Sequence, residues 1–228
     1  MVPTVITINS TGLISAPAER AALIVDVIDS GYDKDEASTN VVTTVNNLQA
    51  EIDELCPRLS NGDISPEAPV SFYSIASLST SSRDEFDKDN KRTGKQIQTV
   101  YSKLDIRFRD FAKLGEMVVH LSTVKFVQLK GVTWKLTDQN QSILGEEARM
   151  KALVRAMKRA EEYGRVIGRN SVTAVKIEDS EESYPRPCTK QTARKSAASW
   201  ATGIGVGIDF EPQTIDVSAS LVVEFHAE

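Results

Sequence analysis

The residues that could support catalysis are few, and the two histidines are the first to consider. His120 and His226 are the side chains best suited to move protons near neutral pH. His120 follows an apolar helical pattern, where a histidine typically interacts with the helix dipole, and His226 is expected to be exposed. Neither lies in a motif with a serine or cysteine nucleophile. We therefore predict no catalytic residue and no enzyme activity.

Patterns for metal or phosphate binding are equally weak. The sequence has no CxxC, HxH or HExxH motif. The acidic residues within 84–89 lack the glycine and terminal glutamate of a calcium loop. The glycines of 203–207 (GIGVG) precede a predicted strand, whereas a phosphate-binding loop precedes a helix. We predict no metal and no cofactor. An unrecognised small-molecule-binding enzyme stays open as an alternative, and it would need polar groups converging in a pocket near His120 or Cys188.

Composition restricts the location and the partners. The two cysteines, Cys56 and Cys188, do not form a disulfide framework and are expected to be free thiols in a reducing compartment. No window approaches the roughly 18 apolar residues of a membrane span, and no signal peptide is visible. The net charge of -5 gives no general attraction to nucleic acid or anionic lipid. We predict a cytoplasmic protein, with the nucleus as a second location, that binds neither membranes nor nucleic acid directly.

The first half of the chain predicts strands and one long helix. Residues 4–16 and 20–29 are rich in β-branched residues and are expected to form a hairpin. Asp33 is a helix cap, and apolar residues at spacings of three and four follow it as far as Pro57. Residues 70–79 and 96–108 are predicted strands, joined by an exposed hairpin loop at about 80–95.

The second half predicts two more helices. Asp110 caps the first, and a strand over about 125–136 follows. A long helix over about 142–168 carries an alanine every fourth residue on one side and charges on the other, a pattern typical of a solvated face. After a strand at 171–179 comes a long irregular loop at about 180–212. A final strand then places six apolar residues on one face: Ile215, Val217, Ala219, Leu221, Val223 and Phe225. The prediction is one α+β domain over 1–228, with antiparallel sheet(s) and three helices packed on one side.

Five segments, in this order, resemble the SIMPL domain family (DUF541). They are GLISAPAERAALIVDVIDSGYDKDEA at 12–37, LDIRFRDFAKLGEMV at 104–118, GVTWKLTD at 131–138, EEARMKALVRAMKRAEEYGRVIGR at 146–169 and the final strand. The ERA and STSS stretches resemble the fungal branch. The resemblance implies an α+β fold with no catalytic residues to carry over. Bacterial relatives form ring- or cage-like homo-oligomers, and an animal relative is a signalling adaptor. The resemblance thus favours a non-enzymatic oligomerising scaffold or adaptor that binds itself and other, unknown proteins.

An octet near the C-terminal end favours a second hypothesis. Residues 189–196 read TKQTARKS, which is identical to a stretch of the histone three N-terminal tail. Such a peptide binds chromatin readers and lysine methyltransferases in an extended conformation. The hypothesis is a histone-tail mimic, and a chance match in a basic surface loop is the alternative. The candidate binding residues are Thr189, Lys190, Gln191, Thr192, Ala193, Arg194, Lys195 and Ser196.

Overall fold

A computed structural model describes residues 4–187 and 210–228, and it describes their side chains except those of 180–187. Within these ranges the chain forms eight strands and three helices. In chain order they are β1 (Thr4–Pro17), β2 (Arg20–Gly31), α1 (Lys34–Glu54), β3 (Val70–Ile75), β4 (Ser79–Phe86), β5 (Arg92–Phe108), α2 (Phe111–Leu121), β6 (Val127–Lys135), α3 (Asp138–Val166), β7 (Val172–Pro187) and β8 (Thr214–Ala227). All strand pairings are antiparallel, which confirms the α+β prediction.

The chain, expected to form one domain over 1–228, divides into two compact units. The three-stranded unit contains the described residues of 1–18, 136–194 and 213–228, and the five-stranded unit contains residues 19–135 and the described residues of 195–212. Among the helices of both units, as far as the structure describes them, none is long and apolar enough to cross a membrane.

In the five-stranded unit, β2 is the central strand. It pairs with β5 on one side and β6 on the other, while β3 and β4 follow one another along the far edge of β5. Helices α1 and α2 begin where Asp33 and Asp110 accept backbone N–H bonds, as their sequences predict. The core of this unit joins the sheet to both helices. It includes Val25, Leu104, Phe108, Val41, Ile52, Leu114 and Leu121, all at most 1 % exposed.

In the three-stranded unit, β8 is central and lies between β1 and β7. The predicted alternation of β8 is confirmed, because its six apolar residues from Ile215 to Phe225 are all buried. Helix α3 packs over β1 and β8 through the alanines that recur every fourth residue from Ala148 to Ala160. Small residues allow this close approach: a Cβ at Gly12 of β1 would lie 1.9 Å from the Ala148 carbonyl oxygen.

The predicted hairpin of 4–16 with 20–29 is wrong. Strand β1 pairs instead with β8 along its whole length, from Thr4 opposite Ala227 to Pro17 opposite Thr214. The patterns explain the difference. Strand β2 is a nearly continuous buried run, typical of a central strand with two neighbours, whereas β1 is buried on one face only.

Two predicted loops are shorter than expected. Most of 80–95 is a two-stranded ribbon of β4 and β5, and only residues 87–91 turn. There Asp87 N–H bonds the Lys91 carbonyl, and Asn90 has a φ of 60°, which asparagine tolerates better than most residues. In the irregular loop predicted at 180–212, β7 continues through Pro187, and residues 188–209 lie outside the described part of the chain.

Candidate interaction surfaces

The two histidines lie beside carboxylates rather than beside nucleophiles. In the last turn of α2, His120 Nε2 lies 3.0 Å from Glu51 Oε2 of α1, and both side chains are exposed. His120 was expected to interact with the end of its own helix, and the structure adds a contact from His120 to helix α1. His226 is on β8, half-buried rather than simply exposed, with its Nε2 3.8 Å from Glu224 Oε1.

Cys56 is a buried thiol at the end of the α1 region. It is 2 % exposed, and its Sγ donates weakly to the Val70 carbonyl oxygen at 3.8 Å. Burial raises the pKa of the Cys56 thiol, so the nucleophilic thiolate is disfavoured. Cys188, the glycines of 203–207 and the whole octet of 189–196 lie outside the described residues.

The acidic residues of the β4–β5 ribbon form ion pairs and hydrogen bonds with nearby groups. Asp84 lies 3.3 Å from Arg92, and Asp87 accepts the N–H groups of Asp89 and Lys91. Glu85 accepts hydrogen bonds from the hydroxyl groups of Tyr32 and Thr93. These bonds lower the pKa of the Glu85 carboxyl, and the Tyr32 bond is the larger cause. In the described ranges, no group of three or more His, Cys, Asp or Glu residues could hold a metal ion.

A polar hollow of about 160 Å³ lies at the start of α1. Its lining includes Asp29, Asp33, Asn40 and Phe126. Asp29 accepts from the Asn40 amide at 2.7 Å, and Asp33 caps the helix. These polar groups satisfy one another and the backbone, so the hollow has the features of a helix start rather than of a substrate site.

Helix α3 has three distinct sides. The alanine row (Ala148, Ala152, Ala156 and Ala160) is fully buried against the sheet. On the far side of the helix is an apolar row, which we call the α3 outer stripe. Its residues are 44–62 % exposed: Ile143, Met150, Val154 and Met157. The sequence prediction of a purely solvated outer face missed this stripe.

Between these two sides, three cations bind the edge of β1. We call them the cation row. Lys151 donates to the Leu13 carbonyl at 3.0 Å, Arg155 to the Thr11 carbonyl at 3.0 Å and Arg159 to the Asn9 carbonyl at 3.1 Å. An edge strand exposes unpaired carbonyls, and these bonds satisfy three of them. The sequence signal was present but not used: each cation directly precedes an alanine of the buried row.

The comparisons place this arrangement in a family. No curated protein sequence matches the chain. The profile of the SIMPL family, described as a protein of unknown function (DUF541), matches residues 6–225. The match spans both compact units and all eleven elements, from within β1 to within β8. The chain therefore belongs to the SIMPL (DUF541) family.

Proposed function

We propose that this protein is a non-enzymatic scaffold or adaptor that assembles with copies of itself and with other proteins. The observation that supports the proposal is the α3 outer stripe. Four large apolar side chains on one helix side, rimmed by charged residues, are typical of a protein–protein interface. Their spacings of seven, four and three residues place them along one line of the helix, where a facing helix can contact all of them.

The other described groups with reactive or titratable side chains make local contacts. The histidines contact glutamates, the Cys56 thiol is buried, and the acids of the β4–β5 ribbon bond nearby groups. None of these arrangements brings a nucleophile to a base at an open cleft, which an acid–base or covalent mechanism would need.

The experiment is a measurement of mass in solution over a wide range of concentration. We expect self-association of the parent protein and weaker self-association of the double variant Met150→Glu, Val154→Glu. Both substitutions are at exposed positions, so the variant is expected to keep its fold. Arg165→Glu is a matched control, since it changes the net charge equally, two helical turns beyond the stripe. A parent protein that is monomeric at every concentration would contradict the proposal.

The octet supports a second proposed function, a histone-tail mimic. Its eight residues carry both lysines of the histone stretch, Lys190 and Lys195. A histone lysine methyltransferase should then modify Lys195 of the intact protein and a free peptide of residues 186–199, but not a Lys195→Ala variant. Modification of the peptide alone would mean that the match has no role in the folded protein.

A further inference from the structure

The two edges of the three-stranded sheet are different. At the β1 edge, the cation row of α3 donates to three carbonyls. At the opposite edge, residues 172–179 of β7 bond β8 on one side only, and no other described residue bonds their outer side. Helix α3 covers β1 and β8 far more than β7. An edge of this kind can accept another strand.

The side chains of β7 show which strand would fit. Ile177 lies opposite the fully buried Val223, on the side of the sheet that α3 covers, yet it is 54 % exposed. On the other side, Lys176 and Glu178 lie two residues apart, with Nζ 2.5 Å from Oε1. The ladder with β8 is regular from Lys176 to Ser180, between two irregularities, so this stretch is the straight part of the edge.

We infer that β7 pairs with β7 of a second copy, antiparallel, about a twofold axis at Ile177. This pairing rests on the proposed self-association and names one of its interfaces. Lys176 of each copy then lies opposite Glu178 of the other, and the two Ile177 side chains meet on the α3 side. Moving the axis to Lys176 or to Glu178 would instead place like charges opposite each other.

The proposed pairing joins two copies and leaves no edge of the same kind for a third. The joined sheet has six strands, with β1 at both outer edges. Both of these edges carry the cation row, so the sheet presents no second open edge of the β7 type for a third copy. The result is a closed, isologous pair rather than a fibre.

Charge reversal tests the pairing. In Lys176→Glu, both copies place glutamates opposite glutamates, and in Glu178→Lys both place lysines opposite lysines. We expect each single variant to self-associate about tenfold more weakly than the parent. A mixture of the two variants restores both opposite-charge pairs, so the two proteins should associate with each other. Each variant also loses the contact between residues 176 and 178 of its own chain, and mixing does not restore that contact. Association of the mixed variants therefore reports the pairs between copies.

The controls separate the possible failures. Lys88→Glu and Asp89→Lys make the same charge changes in the exposed β4–β5 turn, and their mixture should behave like the parent. The mass of each species by sedimentation, and the melting temperature of each variant, are the measurements. If the parent associates and the β7 variants associate equally well alone, or fail to associate when mixed, the pairing is refuted. If the parent itself is monomeric, the proposed function fails first.

Discussion

Replacing Gly12 by alanine tests how closely α3 approaches β1. The added Cβ would lie 1.9 Å from the Ala148 carbonyl oxygen and 2.7 Å from the Ala152 nitrogen. Both are backbone atoms of a helix held by its own hydrogen bonds, so no side chain can rotate away. Cβ atoms essentially never lie within 3.0 Å of a heavy atom outside their own and adjacent residues. Helix α3 must therefore separate from β1 by roughly 1 Å.

The magnitude follows from what that separation disrupts. Overpacking a core commonly costs about 1–3 kcal/mol. A separation of this size also lengthens the cation-row bonds, now 3.0–3.1 Å, beyond hydrogen-bonding distance. These bonds are exposed, so each contributes about 0.5 kcal/mol. The total loss for Gly12→Ala is about 2.5–4.5 kcal/mol, a large part of the 5–15 kcal/mol typical of a domain.

Urea and thermal unfolding measure this loss. For a chain of this length, a loss of about 2.5–4.5 kcal/mol corresponds to a decrease of about 10 °C in melting temperature. Gly145→Ala is the matched control, because its Cβ would have only an Arg149 side-chain nitrogen nearby, at 4.0 Å. In a helix this control should gain up to about 1 kcal/mol. Gly12→Ala unfolding within 1 kcal/mol of the parent would refute the close approach.

Further changes to the chain have expected outcomes as well. Truncation after Pro212 removes the central strand of the three-stranded sheet and should leave that unit unfolded, while Phe225→Ala should cost about 3–5 kcal/mol in urea unfolding. Arg155→Ala should cost only about 0.5 kcal/mol, since the bond that it loses is exposed; a loss above 2 kcal/mol would contradict this. Burial raises the pKa of Cys56 above its ordinary value of 9.0, so its contribution to stability is complete below pH 9 and is lost as the pH rises through the folded-state value. In a Cys188→Ser variant, a thiol reagent at neutral pH should label Cys56 no faster than the protein unfolds.

Local signals in the sequence predicted local structure well. Asp33 and Asp110 cap the helices expected of them, because a cap depends only on the next few residues. The alternation of β8 and the alanine row of α3 likewise identified their buried faces, since periodicity records which side meets the core.

Strand partners could not be predicted in the same way. Strands β1 and β2 are neighbours in sequence, and proximity favoured a hairpin, but β1 pairs with β8 about 200 residues away. Strand β4 was missed because seven of its eight residues are polar and it has no buried face; pairing with β5 specifies it.

The interaction surfaces were missed for a different reason. From the sequence, the cations of α3 were interpreted as part of a charged, solvated helix face, a pattern that many surface helices share. Their role depends on the strand beneath: Lys151, Arg155 and Arg159 recur every four residues, and the carbonyls that they bind recur every two. The two spacings match only if β1 is an edge strand with free carbonyls beside α3, and the sequence alone does not show that β1 is an edge strand.

The two edges of the three-stranded sheet suggest how assembly could remain finite. A long edge strand is a site of aggregation unless its polar groups are occupied. Helix α3 occupies one edge by placing a cation one residue before three of its four buried alanines, which turns the cations toward β1 without disturbing the packed face. In the proposed pairing, the protected β1 edge stays unpaired, and the β7 edge, which bonds no further strand among the described residues, pairs once. The α3 outer stripe is a separate surface, so a chain with both could join more than two copies without any open sheet edge.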